Sequence, residues 1–255
     1  MRKKTTHIVA ALVLLATIIL SIIPINVIND SSWRYYEVAV DKETGKASYH
    51  GSHNRPKNWS NLSSISKFLV GAIIVSEDWA FYQHSGIDTV QLGKVIMRFL
   101  STGKLKRGAS TITQQLAKNL FVGSERSLYR KVKELVASLY LERVWGKKRI
   151  LEYYLNIIEY GASLYGIQPA SIYYFQKDPR DLTIKESAFI AMLLPSPKKY
   201  SYSYRQKELS PFANERITAI IKNMKMAGYI TEEQMHRSLN SKLFFESWTA
   251  PEERD

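Results

Sequence analysis

The strongest constraint in this sequence is a run of helical period between Ser127 and Ile158. Leu128, Val132, Leu135, Val136 and Leu139 recur at the spacing of one helical face, and Ile150, Leu151, Tyr154, Leu155 and Ile158 repeat the device. Side chains three and four apart share one side of an α-helix, so the spacing predicts two helices that each bury an apolar stripe. Thr183 with Glu186, and Thr231 with Gln234, have the spacing of capping boxes that open further helices. Strand-like alternation is scarce, and one short pair is expected around Tyr35–Val40 and Lys46–Tyr49. The fold class is therefore mainly α.

The N-terminus limits where such a domain works. Arg2, Lys3 and Lys4 precede an apolar stretch from Ile8 to Ile28, about the 20 residues that a hydrocarbon core requires. Basic residues ahead of the stretch predict a cytoplasmic start and an exported remainder. A cleaved signal peptide is the rival, but the run from Ile8 to Leu20 is long and no clear small-x-small site follows before Pro24. The expected organisation is a cytoplasmic stub over 1–7, a transmembrane anchor over 8–28, a linker over 29–61 and one domain over 62–255. Thirty-six Lys and Arg against 23 Asp and Glu leave a net charge of +13, which favours a polyanionic partner. An exported domain does not meet chromosomal DNA, so nucleic acid is excluded and lipid headgroups or phosphorylated substrates are favoured. The chain has no cysteine, which rules out disulfides and thiolate metal sites.

Several segments could carry chemistry. Glu77 and Asp78 follow the apolar run Phe68–Val75, so they stand where a buried helix ends. A carboxylate there can be partly desolvated, which raises its pKa and suits it to work as a general base; solvated or capping acids are the commoner outcome. Gly108 to Gln115 reads as a loop entering a helix, with Ser110 able to cap it and free N–H groups that favour anions. Lys118 follows Gln114 by four residues and Gln115 by three, so these polar groups share a face. Glu134 falls on the side away from the apolar stripe, behind Arg130 and Lys131. The simplest reading is a surface salt-bridge ladder; the alternative is a carboxylate held ionised by basic neighbours in a cleft. His50 and His53 have no third ligand, and His84 reads as a structural hydrogen-bonding residue. Ile87 to Arg107 is amphipathic and basic, fitting either a membrane-interface helix or a core helix followed by a basic loop, and Gly103–Gly108 is expected to be mobile.

In order and spacing these segments say more than they do singly. Glu77 to Gly86 (E-D-x-x-F-x-x-H-x-G), Gly108 to Gln115 (G-x-S-T-x-T-Q-Q), Arg130 to Glu134 (R-K-x-x-E) and Lys147 to Asn156 (K-x-x-I-L-E-x-Y-L-N) resemble four successive motifs of the peptidoglycan glycosyltransferases. The resemblance runs from about Lys67 to Tyr200, and Ala188 to Pro195 looks like the family's fifth, apolar block. It is closer to the monofunctional transglycosylases than to bifunctional penicillin-binding proteins. It implies a lysozyme-like helical lobe with a smaller membrane-facing lobe. It also implies polymerisation of lipid II by inverting glycosyl transfer, releasing undecaprenyl pyrophosphate.

Position by position, the resemblance makes Glu77 the general base and Glu134 the second essential glutamate, near the pyrophosphate or a divalent cation. Ser110, Gln114 and Gln115 would line the donor site. Lys118 and Arg126 would neutralise the leaving diphosphate, with Arg130 and Lys131 completing the third motif. Glu152 and Asn156 look structural. No cofactor is implied as obligatory, with Mg or Mn the candidate cations. The implied partners are lipid II, the growing undecaprenyl-pyrophosphate-linked glycan, membrane lipids, and transpeptidases or other wall synthases, at the cytoplasmic membrane with the domain on its outer side. Two rivals stand beside this function: a lytic enzyme of similar fold, since paired carboxylates also suit glycoside hydrolysis, and an inactive membrane scaffold.

Overall fold

The computed structural model describes residues 32–103, 110–123 and 127–247. The expected anchor at 8–28, Arg126 and most of the Gly103–Gly108 loop lie outside the described residues. Among those described, no helix is long and apolar enough to cross a membrane.

The expected strand pair forms. β1 (Tyr35–Val40) and β2 (Ala47–Ser52) make an antiparallel hairpin in register from Tyr35 opposite Ser52 to Val40 opposite Ala47. Its turn is fixed by the Asp41 carboxylate, which accepts from the Thr44 amide at 2.7 Å and the Glu43 amide at 3.0 Å. The stretch expected as a linker is docked: Tyr36 and Trp59 are 4% exposed and join an aromatic cluster with Trp145 and Tyr153. The aromatic residues between 33 and 59 supply enough apolar surface to hold this segment against the helices.

The core rests on α1 (Lys67–Glu77), in which Leu69 and Gly71 to Val75 are buried. The helix starts where Ser66 accepts from the Phe68 amide at 3.3 Å and donates to the Leu182 carbonyl at 2.9 Å. A Cβ on Gly71 would lie 2.6 Å from the Tyr229 ring, so only glycine allows that approach. Next come α2 (Thr89–Thr102), α3 (Ile112–Ala117), α4 (Leu128–Val144) and α5 (Gly146–Ile157). A small ribbon of β3 (Glu159–Gly161) and β4 (Leu164–Tyr165) leads to α6 (Ile167–Phe175) and α7 (Ile184–Leu193). The chain ends through the single turns α8 (Pro197–Tyr200) and α9 (Tyr202–Arg205), then α10 (Pro211–Met226) and α11 (Glu232–Asn240).

Helix α7 is buried along its whole length against α1 and α10, and α3 packs on α4 and α5. Both capping boxes form: Thr183 with Glu186 opens α7, and Thr231 with Gln234 opens α11. The four apolar positions expected to be buried on α5, and Ile158 just after it, are buried.

Helix α4 departs from expectation. Its buried face is Glu134, Ala137, Ser138 and Leu141, while Val132 is 39% and Leu139 47% exposed. Small side chains let α4 approach α3 closely, which leaves Val132 and Leu139 outward and Leu135 and Val136 half-buried. Helix α2 behaves similarly. Among the described residues no helix or strand packs extensively along it, and Val90, Met97 and Leu100 are at least 66% exposed.

Candidate active site

Glu77 ends α1, and the two adjacent carboxylates part company there. Asp78 turns inward, accepting from His84 Nε2 at 2.8 Å and from the Ile112 amide at 3.0 Å. It thereby ties the loop after α1 to the first turn of α3, and His84 takes the structural role expected of it. Thr111 reinforces the joint by donating to the Gly86 carbonyl at 2.7 Å. Gly86 has φ +89°, and a Cβ on it would come within 3.0 Å of the Ser138 carbonyl oxygen, so the loop closes tightly on α4. The cap of α3 is Thr111, which accepts from the Gln114 amide, and not Ser110.

Glu77 points the other way, into a cleft of about 650 Å³ lined by Ser110, Gln115, Lys118, Arg130, Lys131, Glu134 and Arg216 among others. Gln115 Nε2 donates to Glu77 Oε2 at 2.9 Å, and Tyr154, fully buried on α5, donates to Gln115 Oε1 at 2.9 Å. The tyrosine thus holds the amide with its NH₂ toward the carboxylate. Burial raises the Glu77 pKa above the ordinary carboxylate value; the Gln115 hydrogen bond and the Arg216 charge oppose that rise, and the Asp78 charge adds to it. The result is a carboxylate that is a stronger base than a solvated one and is still held in place. A second cavity of about 310 Å³ shares Ser76, Glu77 and Ser110, so Glu77 stands between two openings.

Glu134 is 2% exposed and not on a surface ladder. Arg130 Nη1 donates to its Oε2 at 2.7 Å, and Lys131 Nζ donates to its Oε1. Lys131 also reaches Ser110 Oγ at 3.1 Å and Gln114 Oε1 at 3.3 Å, tying the second and third motifs together. The cleft reading of this glutamate holds and the salt-bridge ladder reading gives way, because α4 turns its small and polar face inward. Lys118 opens a π-helical turn, Lys118–Val122, that carries its side chain to the cleft wall. Glu152 accepts from Trp59 Nε1 at 2.9 Å and the Leu62 amide at 2.9 Å, while Asn156 bonds both backbone groups of Ser60 at 2.8 Å. Both are structural, fastening α5 to the chain after the hairpin.

A divalent cation at Glu134 does not fit these residues. Both carboxylate oxygens are engaged by cationic side chains, and among the described residues no group of three or more His, Cys, Asp or Glu could hold a metal. His50 instead pairs with Ser48 Oγ at 2.9 Å, and His53 lies against Trp33 with ring centroids 4.5 Å apart. Arg216, on α10, and Ser76, on α1, are cleft residues that sequence reasoning missed; the more telling is Arg216. It lies far down the chain from the motifs, and only its place in the helix, one turn after Phe212, could have flagged it.

Residues 43–225 match the transglycosylase family. A biosynthetic peptidoglycan transglycosylase of Shewanella denitrificans is 42% identical over 172 residues, which is 68% of this chain and 73% of that protein. One from Acinetobacter baylyi is 40% identical over 154 residues, 60% of this chain and 69% of its own length. Penicillin-binding protein 1A of Aquifex aeolicus is 38% identical over 183 residues, 72% of this chain but 25% of that protein. The matched span contains every described cleft residue named above, and the chain belongs to the transglycosylase family.

Proposed function

We propose that this transglycosylase polymerises lipid II into peptidoglycan glycan strands, with Glu77 as its general base. The observation that carries the reading is one raised-pKa carboxylate facing Lys118, Arg130, Lys131 and Arg216 across a single cleft. A sugar hydroxyl is a poor nucleophile at neutral pH, and a positioned base contributes about 10²–10⁴ in rate. Glu77 takes the proton of the acceptor 4-hydroxyl as its oxygen bonds to the anomeric carbon of the growing chain. The bond from that carbon to the pyrophosphate breaks, configuration inverts, and undecaprenyl pyrophosphate leaves. Lys118, with Arg126, stabilises the charge gathering on the leaving group. Ser110 and Gln115 position the donor, while the buried Gln114 and Glu134 fix Lys131, and Glu134 also Arg130, at the cleft wall.

The lytic reading needs a second carboxyl group to serve as acid, base or nucleophile. The cation pairing of Glu134 disfavours it in that role. Apolar side chains exposed on α2 and α4 support a smaller lobe facing the membrane beside a lysozyme-like lobe. With the anchor at 8–28, the cleft would work at the outer surface of the cytoplasmic membrane, where both polyprenyl substrates lie. The product's stem peptides make transpeptidases the natural partners.

The test is incubation of the full chain with lipid II, products resolved by size, beside Glu77→Gln and a control with preformed glycan strands. Polymer from wild type and none from the variant is the expected result. Shortened strands in the control would transfer the case to the lytic enzyme, and no reaction with either substrate would favour the scaffold.

A further inference from the structure

A third cavity, of about 610 Å³, opens between α8, α9 and the start of α10. Its walls carry Tyr200, Tyr202 and Phe212, with Met192 beneath and Lys199 and Arg205 also lining it. Tyr202 is 52% and Phe212 45% exposed, so both side chains are accessible from solvent at the mouth of the cavity. Tyr200 and Phe212 lie with ring centroids 5.0 Å apart, and the Arg205 guanidinium stands 5.9 Å from the Tyr202 ring centre. Arg205 is fixed by its 2.7 Å bond to Ser201 Oγ. Among the described residues no acidic side chain lines the cavity.

This groove adjoins the catalytic cleft along two elements. Phe212 of the groove and Arg216 of the cleft are four residues apart on α10, hence on one face and about 6 Å apart along the axis. Met192 of the groove precedes Leu194 and Pro195 of the cleft by two and three residues. A polymer bound at Glu77 therefore has an open aromatic surface within one helical turn of the cleft wall.

We infer that this groove is a holding subsite for the glycan strand itself, outside the catalytic cleft. The inference rests on the polymerase reading above. Pyranose rings present an apolar C–H face that packs on aromatic rings, and stem-peptide carboxylates give the strand the negative charge that Lys199 and Arg205 complement. A neutral apolar partner would leave both cations without a role, and an anionic lipid headgroup would leave the aromatic walls without one.

The experiment uses the full chain, as wild type, Tyr202→Ala/Phe212→Ala and Lys199→Gln/Arg205→Gln. Purified uncross-linked glycan strands and neutral N-acetylglucosamine oligomers are titrated into each by calorimetry, and polymer length from lipid II is measured in parallel. The aromatic variant should bind both probes about tenfold more weakly and release shorter polymer, and its far-UV spectrum should be retained and its thermal unfolding remain cooperative because both residues are about half exposed. The charge variant should lose affinity for the anionic strands and keep that for the neutral oligomers. Unchanged strand affinity in the aromatic variant, with wild type still polymerising, would overturn the subsite alone. Failure of wild type to polymerise would instead overturn the reading on which it rests.

Discussion

Helices α7 and α4 both carry apolar side chains at helical spacing, yet they bury different things. Helix α7 is enclosed on every side, so that even Lys185 and Glu186 are under 9% exposed, each with a polar partner. Helix α4 buries a glutamate, an alanine and a serine against the rest of the protein and leaves Val132 and Leu139 outward. An apolar stripe therefore identifies the face that avoids water and does not identify the medium that replaces it. In α7 that medium is protein; for α4 and α2 the membrane-facing lobe proposed above would make it lipid.

This contrast can be broken at either end. Phe189→Ala in α7 should cost about 3–5 kcal/mol through lost burial and an unfilled cavity, read as a large fall in thermal midpoint. Glu134→Gln removes the one charge between Arg130 and Lys131. It should cost about 1.5–3 kcal/mol, toward the lower end because the Lys131 side chain is 37% exposed. It should also lower lipid II turnover, since the cations it fixes line the cleft; full activity with an unchanged midpoint would return Glu134 to a surface ladder. Leu139→Ser should change stability by no more than about 0.5 kcal/mol. Because the chain has no native cysteine, a nitroxide on Leu139→Cys in vesicles can report depth. Greater accessibility to oxygen than to a water-soluble nickel reagent would support the membrane-facing assignment, and the reverse would sink it.

The same contrast explains what could be read from the chain. Helix α5, the capping boxes and the Tyr35–Val40 strand follow from local chemistry, and all are present. The inward face of α4 was not legible, because close approach to α3 depends on Ala137 and Ser138 being small and not on their being apolar. The motif residues of the cleft were legible as a set through their order along the chain. Arg216 and the Tyr154 support of Gln115 were not, because each reaches the site through helix packing between segments distant in sequence.

The most direct test of Glu77 as the base is the pH dependence of kcat/KM for lipid II polymerisation, in wild type and in Tyr154→Phe. A base must be ionised, so activity should be present above the Glu77 pKa and fall as pH drops through it. Burial places that acid limb above the ordinary value of 4.5. Removing the tyrosine hydroxyl loosens the amide that donates to Glu77, a bond that holds the pKa down, and should move the limb further up. An acid limb at or below 4.5, or one that stays in place in Tyr154→Phe, would contradict the assignment of Glu77 as a base tuned by burial and by Gln115.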